Sequence, residues 1–425
     1  MLRDQSCETD KFFNGPSYHL NRKSLILCGG WPYLNPRKRK IIWWTINLAI
    51  FTAWVPELIY IIEIFDDTQK VIYCTMAFLI SYLAFCASVN AVVNHNSMKQ
   101  VLDSLKDNWN DLQNDEEREI FEKYANFGKI FTIGLSGTNA SHFHLAIIEL
   151  HNFSVCYFGN LSLYFVSPLI PSMLHYRATG NWTTPEKNFL EVEYFVDPVK
   201  YYWHIYVHGA QAGTWVVCVL TAYDSFFIVL VQHCCGMFAV LGYDKFNFEK
   251  FAIENEVRGL CRYKIQKMDK EIYDYRHDRQ SVVEKIEKIV MYHLHCLKFA
   301  KKIEDFFCMQ MIQQIMINTI IISVCGSQAI KLADDSLQET FRYAYLSCST
   351  IFRLTIFNIL GQSVFDQSLR KRPALQSLGC QDTLLESYYL FDANENCDVL
   401  LHDDYPNVMR CLFLMIKAQA IIIRH

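Results

Sequence analysis

VIYCTMAFLISYLAFCASVNAVV, residues 71–93, runs for 23 residues without one charged side chain. A helix of that length covers the roughly 30 Å hydrocarbon core of a bilayer. A single helix also satisfies its own backbone N–H and C=O groups where no water can. Reading this stretch as a membrane span therefore sets the template against which the rest of the chain is measured.

Five further stretches fit it. Ile41 to Phe65 is long enough but contains Pro56, Glu57 and Glu63, which predicts a kinked first span with a polar end. Phe153 to Leu174 is uncharged and closes on "SPLIP" (Ser167 to Pro171), which suits a helix ending at the interface. Tyr201 to Tyr243 exceeds the length a span needs and holds Asp224, so it reads as one helix that crosses and then projects beyond the bilayer. Phe306 to Ile330 is uncharged, and Tyr343 to Phe365 carries only Arg353. The expected fold is all-α: a multi-span helical membrane protein with six spans and long cytosolic helix extensions. Ile130 to Asn152, with Glu149 and histidines beside "IFTIGLS", reads as a cytosolic or interfacial lead-in to the third span.

Composition agrees. Across 425 residues 52% are hydrophobic and 15% aromatic, only 20% are charged, and mean hydropathy is +0.07. That is too apolar for an average soluble protein of this length. The 16 cysteines show no paired CxxC blocks, which removes a zinc ribbon, and no short secreted framework. No Gly-rich phosphate loop, nucleophile elbow or zinc-protease pair is present, so the chain reads as a non-enzyme without cofactor or bound metal, and nothing in it points to nucleic acid.

Lys and Arg set the expected orientation. The N-terminal segment has eight, the loop at 66–70 one, that at 94–129 five, that at 175–200 three, that at 244–305 fourteen and that at 331–342 two. Rich and poor segments alternate, which predicts a cytosolic N-terminus. The expected organisation is a cytosolic segment at 1–40, a transmembrane domain at 41–366 that includes the cytosolic loop 244–305, and a cytosolic tail at 367–425. The sequon at Asn181 falls in an outward loop and is the candidate glycosylation site; those at Asn139, Asn152 and Asn160 read as chance matches. In the inner loop, Val282, Ile286, Ile289, Val290, His293 and Leu297 recur at helical spacing opposite Glu284, Lys285, Glu287, Lys288 and Lys301. An amphipathic helix is expected there, packed on the inner extension of the fourth span.

Several stretches carry a resemblance on top of this topology. "HLNRKSLILCGGWPY" (His19 to Tyr33), "EKYANFGKIFTIGLSG" (Glu122 to Gly137), "SPLIP", "TAYDSFFIVLVQHCCGMFAVLGY" (Thr221 to Tyr243) and "FNILGQSVFDQS" (Phe357 to Ser368) together resemble insect odorant receptors over most of the chain. The resemblance implies a seven-span, ligand-gated cation channel subunit in the cell membrane of sensory neurons. It further implies a hetero-tetramer with an odorant co-receptor subunit, a small volatile organic ligand held among the helices in the outer half of the membrane, and a pore lined by the last helix. Gustatory-type receptors and a non-conducting truncated isoform are the alternatives. "CLFLMIKAQAIIIRH" (Cys411 to His425) has only six uncharged residues between Arg410 and Lys417. It reads as the cytosolic anchor helix that leads into a seventh span, with that span itself missing.

Small volatile ligands call for an apolar, partly aromatic cavity with few polar anchors. The candidate ligand-binding residues are Tyr73 and Phe78 on the second span, Tyr164 and Phe165 on the third, Tyr202, Trp203 and Tyr206 on the fourth, and Tyr343 and Tyr345 on the sixth. The same residues also suit an interfacial aromatic belt. Arg353 lies about ten residues into its span, where a charge needs a partner such as Asp224, a water-lined cavity or a route to the interface. His204 and His208 share a helical face, but two ligands do not make a metal site. His142, His144 and the His233-Cys234-Cys235 run read the same way.

Overall fold

The computed structural model describes residues 8–112, 114–136, 159, 161–185, 188–189, 192–265 and 272–377. Described residues form helices and turns: α1 His19–Leu27, α2 Pro36–Glu63, α3 Thr68–Val93, α4 His95–Asn110, α5 Asp115–Ser136, α6 Ile170–Thr179, α7 Tyr202–Ile265, α8 Ile272–Lys331 and α9 Leu337–Ser377. Five helical stretches are long and apolar enough to cross a membrane: Pro36–Glu63, Thr68–Val93, Tyr202–Gly242, Lys288–Lys331 and Leu337–Val364. They coincide with the first, second, fourth, fifth and sixth expected spans. Much of the third expected span, along with Asn139, His142, His144, Asn152, Asn160 and the stretch Cys411 to His425, lies outside the described residues.

Local chemistry starts and stops these helices. Asn35 accepts from the Arg37 amide at 3.0 Å ahead of Pro36 in the first turn of α2. Asp67 caps α3 through the Lys70 amide. Asp115, Glu116 and Glu117 place negative charge at the start of α5, where the helix dipole favours it. Gly180, at φ 73°, ends α6. Here one expectation fails, since "SPLIP" does not end its helix. Ser167–Leu169 is a single 3-10 turn and α6 continues to Thr179. Pro168 and Pro171 each sit in a first turn, where the missing N–H is tolerated.

The residues fall into two compact units. Among the described residues, the first comprises those within 8–100, 128–229 and 306–358. In it α2 packs on α3. Ile46, Ile50, Ala53 and Trp54 of α2 point inward, while Trp44, Leu48, Phe51, Val55, Leu58 and Ile62 form an exposed apolar stripe at spacings of three and four. A helix apolar on both faces is a helix whose solvent is lipid. In α7, residues 219–229 are buried nearly all round, with Tyr223, Phe226 and Phe227 among the largest side chains enclosed. Phe307 meets Phe226 and Phe227 at ring separations of 5.8 and 5.1 Å, and Phe227 meets Phe357 at 5.4 Å.

The N-terminal strap belongs to this unit as well. Trp31 is fully buried, its indole donates to Asp10 at 2.7 Å, and Arg22 grips the same carboxylate with two hydrogen bonds. Burial alone would raise the Asp10 carboxyl, but the bonds from Arg22 and Trp31 outweigh it and hold the group below its usual value. Gly29 ends α1 at φ 68°, and a Cβ there would lie 2.9 Å from the Trp43 amide nitrogen and 3.1 Å from the Arg39 carbonyl. Both are backbone atoms of α2 and neither can rotate away. Gly29→Ala is therefore expected to cost about 2 kcal/mol or more, from left-handed strain plus the clash, read as a lower thermal midpoint of the detergent-solubilised chain. Gly180→Ala is the comparison, since it also has positive φ but nothing within 4 Å.

Among the described residues, the second unit comprises those within 101–127, 230–305 and 359–377. At its centre Asn108 of α4 approaches the His233 ring at 3.3 Å and Met237 Sδ at 3.1 Å, while the His295 ring nitrogen lies 2.6 Å from Asn108 Oδ1. His233 is enclosed by Phe121 and Phe299 at 4.7 and 5.1 Å. The His-Cys-Cys run is thus core, with Cys234 and Cys235 buried beside it. Ile289, Cys296, Phe299 and Ile303 of α8 are buried, and His293 packs against Phe238 of α7. The expected amphipathic helix does lie against α7, the fourth-span helix, beyond residue 230. It is not a separate element, however, but the first half of the 60-residue α8, continuous with the fifth span. At 1.5 Å per residue the 64 residues of α7 reach roughly 95 Å, far more than a bilayer requires.

Candidate functional site

Within the first unit the helices line a half-open cavity of about 170 Å³. Ile50, Ala53, Trp54 and Glu57 form its α2 wall and Ala77, Ile80, Ser81 and Leu83 its α3 wall. Leu161, Tyr164 and Phe165 close a third side with Phe189. Asn318 and Ile321 come from α8, and Leu346, Ser349, Thr350 and Arg353 from α9. The remaining wall is a stripe along α7: Gly209, Ala212, Gly213, Val216, Val217 and Leu220, spaced by three and four as one helical face requires.

That stripe explains why there is a cavity at all. Two glycines and an alanine withhold side-chain volume where the larger neighbours would otherwise meet. A Cβ at Gly213 would touch Leu161 and Phe165 at 3.5 and 3.7 Å, an ordinary contact. At Gly209 it would press on the Phe189 ring at 2.9 Å. The walls are mostly apolar, and the polar groups are few.

Among the nine aromatic residues expected at a ligand site, Tyr164 and Phe165 line this cavity and the other seven do not. Four of the seven stand behind its wall. Tyr73 donates to the Phe189 carbonyl at 2.5 Å, and Tyr206 donates to the Phe165 carbonyl at 2.8 Å. The rings of Phe165, Phe189 and Tyr206 pack edge-on or tilted within 6.4 Å, and Tyr202 stacks on Tyr206 at 6.0 Å. Phe78 supports the lining residue Trp54 from 5.2 Å. Trp203 is 46% exposed, Tyr343 is buried elsewhere, and Tyr345 packs near Phe341 and Gly159. Arg342 lies over the rings of Tyr73 and Tyr164 at 4.6 and 4.9 Å and donates to the Tyr73 hydroxyl, so those two tyrosines have a cation against their faces.

Arg353 resolves to the paired alternative. Its Nε and Nη2 donate to the two carboxylate oxygens of Asp224 at 2.9 and 3.0 Å, a bidentate pair in which Arg353 is 6% and Asp224 1% exposed. Gln314 adds a third donor to Asp224 at 3.3 Å. His208 is held by Thr52 and Tyr194 at 3.1 and 2.6 Å, and among the described residues no group of three or more His, Cys, Asp or Glu side chains is placed to hold a metal ion. Asn181 lies exposed just beyond α6.

Sequence reasoning passed over Trp54, Glu57, Asn318 and the α7 stripe. Small residues at 209, 212 and 213 were a readable signal on a span otherwise rich in bulky side chains. Phe189 had none, since it lies in an interhelical segment that enters the wall only through tertiary structure.

The comparisons with known proteins agree with this architecture. A sequence profile described as 7tm Odorant receptor matches residues 67–371. Odorant receptor 13a of Drosophila melanogaster is 22% identical over 163 residues, 38% of this chain, and the aligned stretch spans 34% of that relative. The insect olfactory receptor OR5 from Machilis hrabei superposes with a TM-score of 0.61 over 98% of each chain, at 11% identity, a likeness of fold. The molecule is thus a multi-pass helical membrane protein, and with one family's profile covering well over half of its residues, the chain belongs to the 7tm odorant receptor family.

Proposed function

We propose that the protein is an odorant receptor subunit that takes a small, largely apolar volatile ligand into the cavity between α2, α3, α7, α8 and α9. In this reading the ligand favours one arrangement of these helices, and that shift gates a cation channel assembled with a co-receptor subunit. The observation that carries the reading is the largely apolar, half-open cavity between these helices, in a member of an odorant receptor family. Its volume is close to the ~150 Å³ at which an apolar cavity holds benzene, so the ligand would have about six to eight non-hydrogen atoms. The decisive measurement is odour-evoked cation current in cells expressing the chain with the co-receptor. A chain that reaches the surface with the co-receptor and gives no current to any of a broad volatile panel would defeat the reading.

The orientation that goes with it has the N-terminus in the cytosol and Asn181 outside, on the strength of the alternating Lys and Arg counts. Glycosidase treatment is expected to increase the mobility of the wild-type chain on a gel and to leave Asn181→Gln unchanged. A sequon placed in an N-terminal tag is expected to stay unmodified; its glycosylation would reverse the topology.

A further inference from the structure

Glu57 lies on the cavity face of α2, one turn from Trp54, and is 2% exposed. Its Oε1 has no hydrogen-bonding partner, and among the described residues no cation pairs with it. The other charged side chain on the wall, Arg353, is committed to Asp224. The local backbone is held as well, because the Pro56 carbonyl, on the residue before, accepts from the Glu193 amide at 3.1 Å. A second lining residue is also incompletely satisfied: the Asn318 Nδ2 group is buried, at 2% residue exposure, with no partner. A buried carboxyl with no partner is costly, and this one faces an open space bounded mainly by carbon.

We propose that Glu57 is the polar anchor of this cavity and that the ligands it selects are small apolar amines, the nitrogen at Glu57 and the hydrocarbon body against the α3 and α7 walls. The assignment rests on the reading of the cavity as a ligand site and specifies its ligand class. The chemistry separates amines from other volatiles. An ionised carboxylate only accepts hydrogen bonds, so an aldehyde or ester offers it nothing, and the neutral acid gives either of them one uncharged hydrogen bond at most. An alcohol supplies one donor but leaves the charge uncompensated. An amine supplies donors and the opposite charge together: a protonated amine pairs directly, and a neutral amine takes the proton of a neutral Glu57 carboxyl, giving the same ammonium–carboxylate pair. That pair forms in surroundings where charge-assisted hydrogen bonds are strong.

The test uses the full chain, solubilised in detergent at neutral pH, with hexylamine, 1-hexanol and hexanal as probes of equal length. Hexylamine is expected to raise the thermal midpoint at concentrations at least about tenfold lower than 1-hexanol or hexanal. Glu57→Gln keeps the shape and removes the charge. It is expected to weaken the hexylamine effect at least about tenfold and to leave 1-hexanol within about threefold. Glu57→Asp, which keeps the charge, is expected to retain the amine preference, and this distinguishes loss of the anchor from misfolding. Wild-type stabilisation equal across the three probes, or a Glu57→Gln loss equal for hexylamine and 1-hexanol, would overturn the proposal. If another volatile binds and is blocked by Gly213→Phe while hexylamine has no effect, the amine assignment fails and the cavity reading survives. If Gly213→Phe changes the binding of no probe, the cavity reading itself fails.

Discussion

Arg353→Leu is expected to destabilise the first unit by roughly 3–5 kcal/mol, because it leaves the Asp224 carboxylate buried without its guanidinium. Asp224 is 1% exposed and receives both arms of Arg353, so losing the guanidinium strips two charge-assisted hydrogen bonds from a buried carboxylate. Asp224→Leu should do similar damage from the other side, stranding a cation that otherwise packs over Phe357 at 5.5 Å. The double variant Asp224→Leu with Arg353→Met removes both charges. It is expected to recover most of the loss, as apolar replacements of buried pairs generally do. Fluorescence-detected size exclusion after a heating series, on the four proteins side by side, measures this. Single variants as stable as wild type would show that the pair contributes nothing to the packing of α7 against α9.

Gly213→Phe is expected to reduce sensitivity to cavity ligands by more than about tenfold, corresponding to over ~1.4 kcal/mol of lost binding, while the chain still reaches the surface. The first carbon of a side chain at 213 meets Leu161 and Phe165 at ordinary contact distance, so a ring added there extends into space that is otherwise open. Gly213→Ala is the graded control. It should raise helix stability by about 0.5–1 kcal/mol relative to glycine and shift preference toward shorter ligands without abolishing response. Concentration–response curves for a homologous series of chain lengths on both variants separate occlusion from misfolding. Unchanged curves for Gly213→Phe would place the ligand elsewhere.

The ring cluster shows how far the aromatic residues could be read in advance. Tyr164 and Phe165 line the cavity, Tyr73 and Tyr202 are buried around its wall, and the half-buried Tyr206 braces it. Aromatic residues near the ends of the expected spans led to the neighbourhood of this cavity. They did not tell which atoms line the cavity, since a ring that lines a wall and a ring that braces it from behind have the same sequence signature. The difference lies in helix rotation, which a tyrosine between apolar neighbours does not reveal.

What the sequence determined by itself was the class of fold and its main elements. A bilayer demands long uncharged helices, and that demand is written residue by residue in stretches such as 71–93, so all-α architecture, the overlong fourth-span helix and the amphipathic segment near 282–301 were legible without coordinates. Tertiary structure alone decided the pairing of Arg353 with Asp224 across 129 positions, the entry of Phe189 into the cavity wall, and the isolation of Glu57 within it. The physical reason is the same in each case. Transfer into lipid is a property of single side chains summed along one helix, whereas a cavity or a buried ion pair depends on how helices are rotated toward one another. In a chain apolar on nearly every face, hydrophobic periodicity leaves that rotation undetermined.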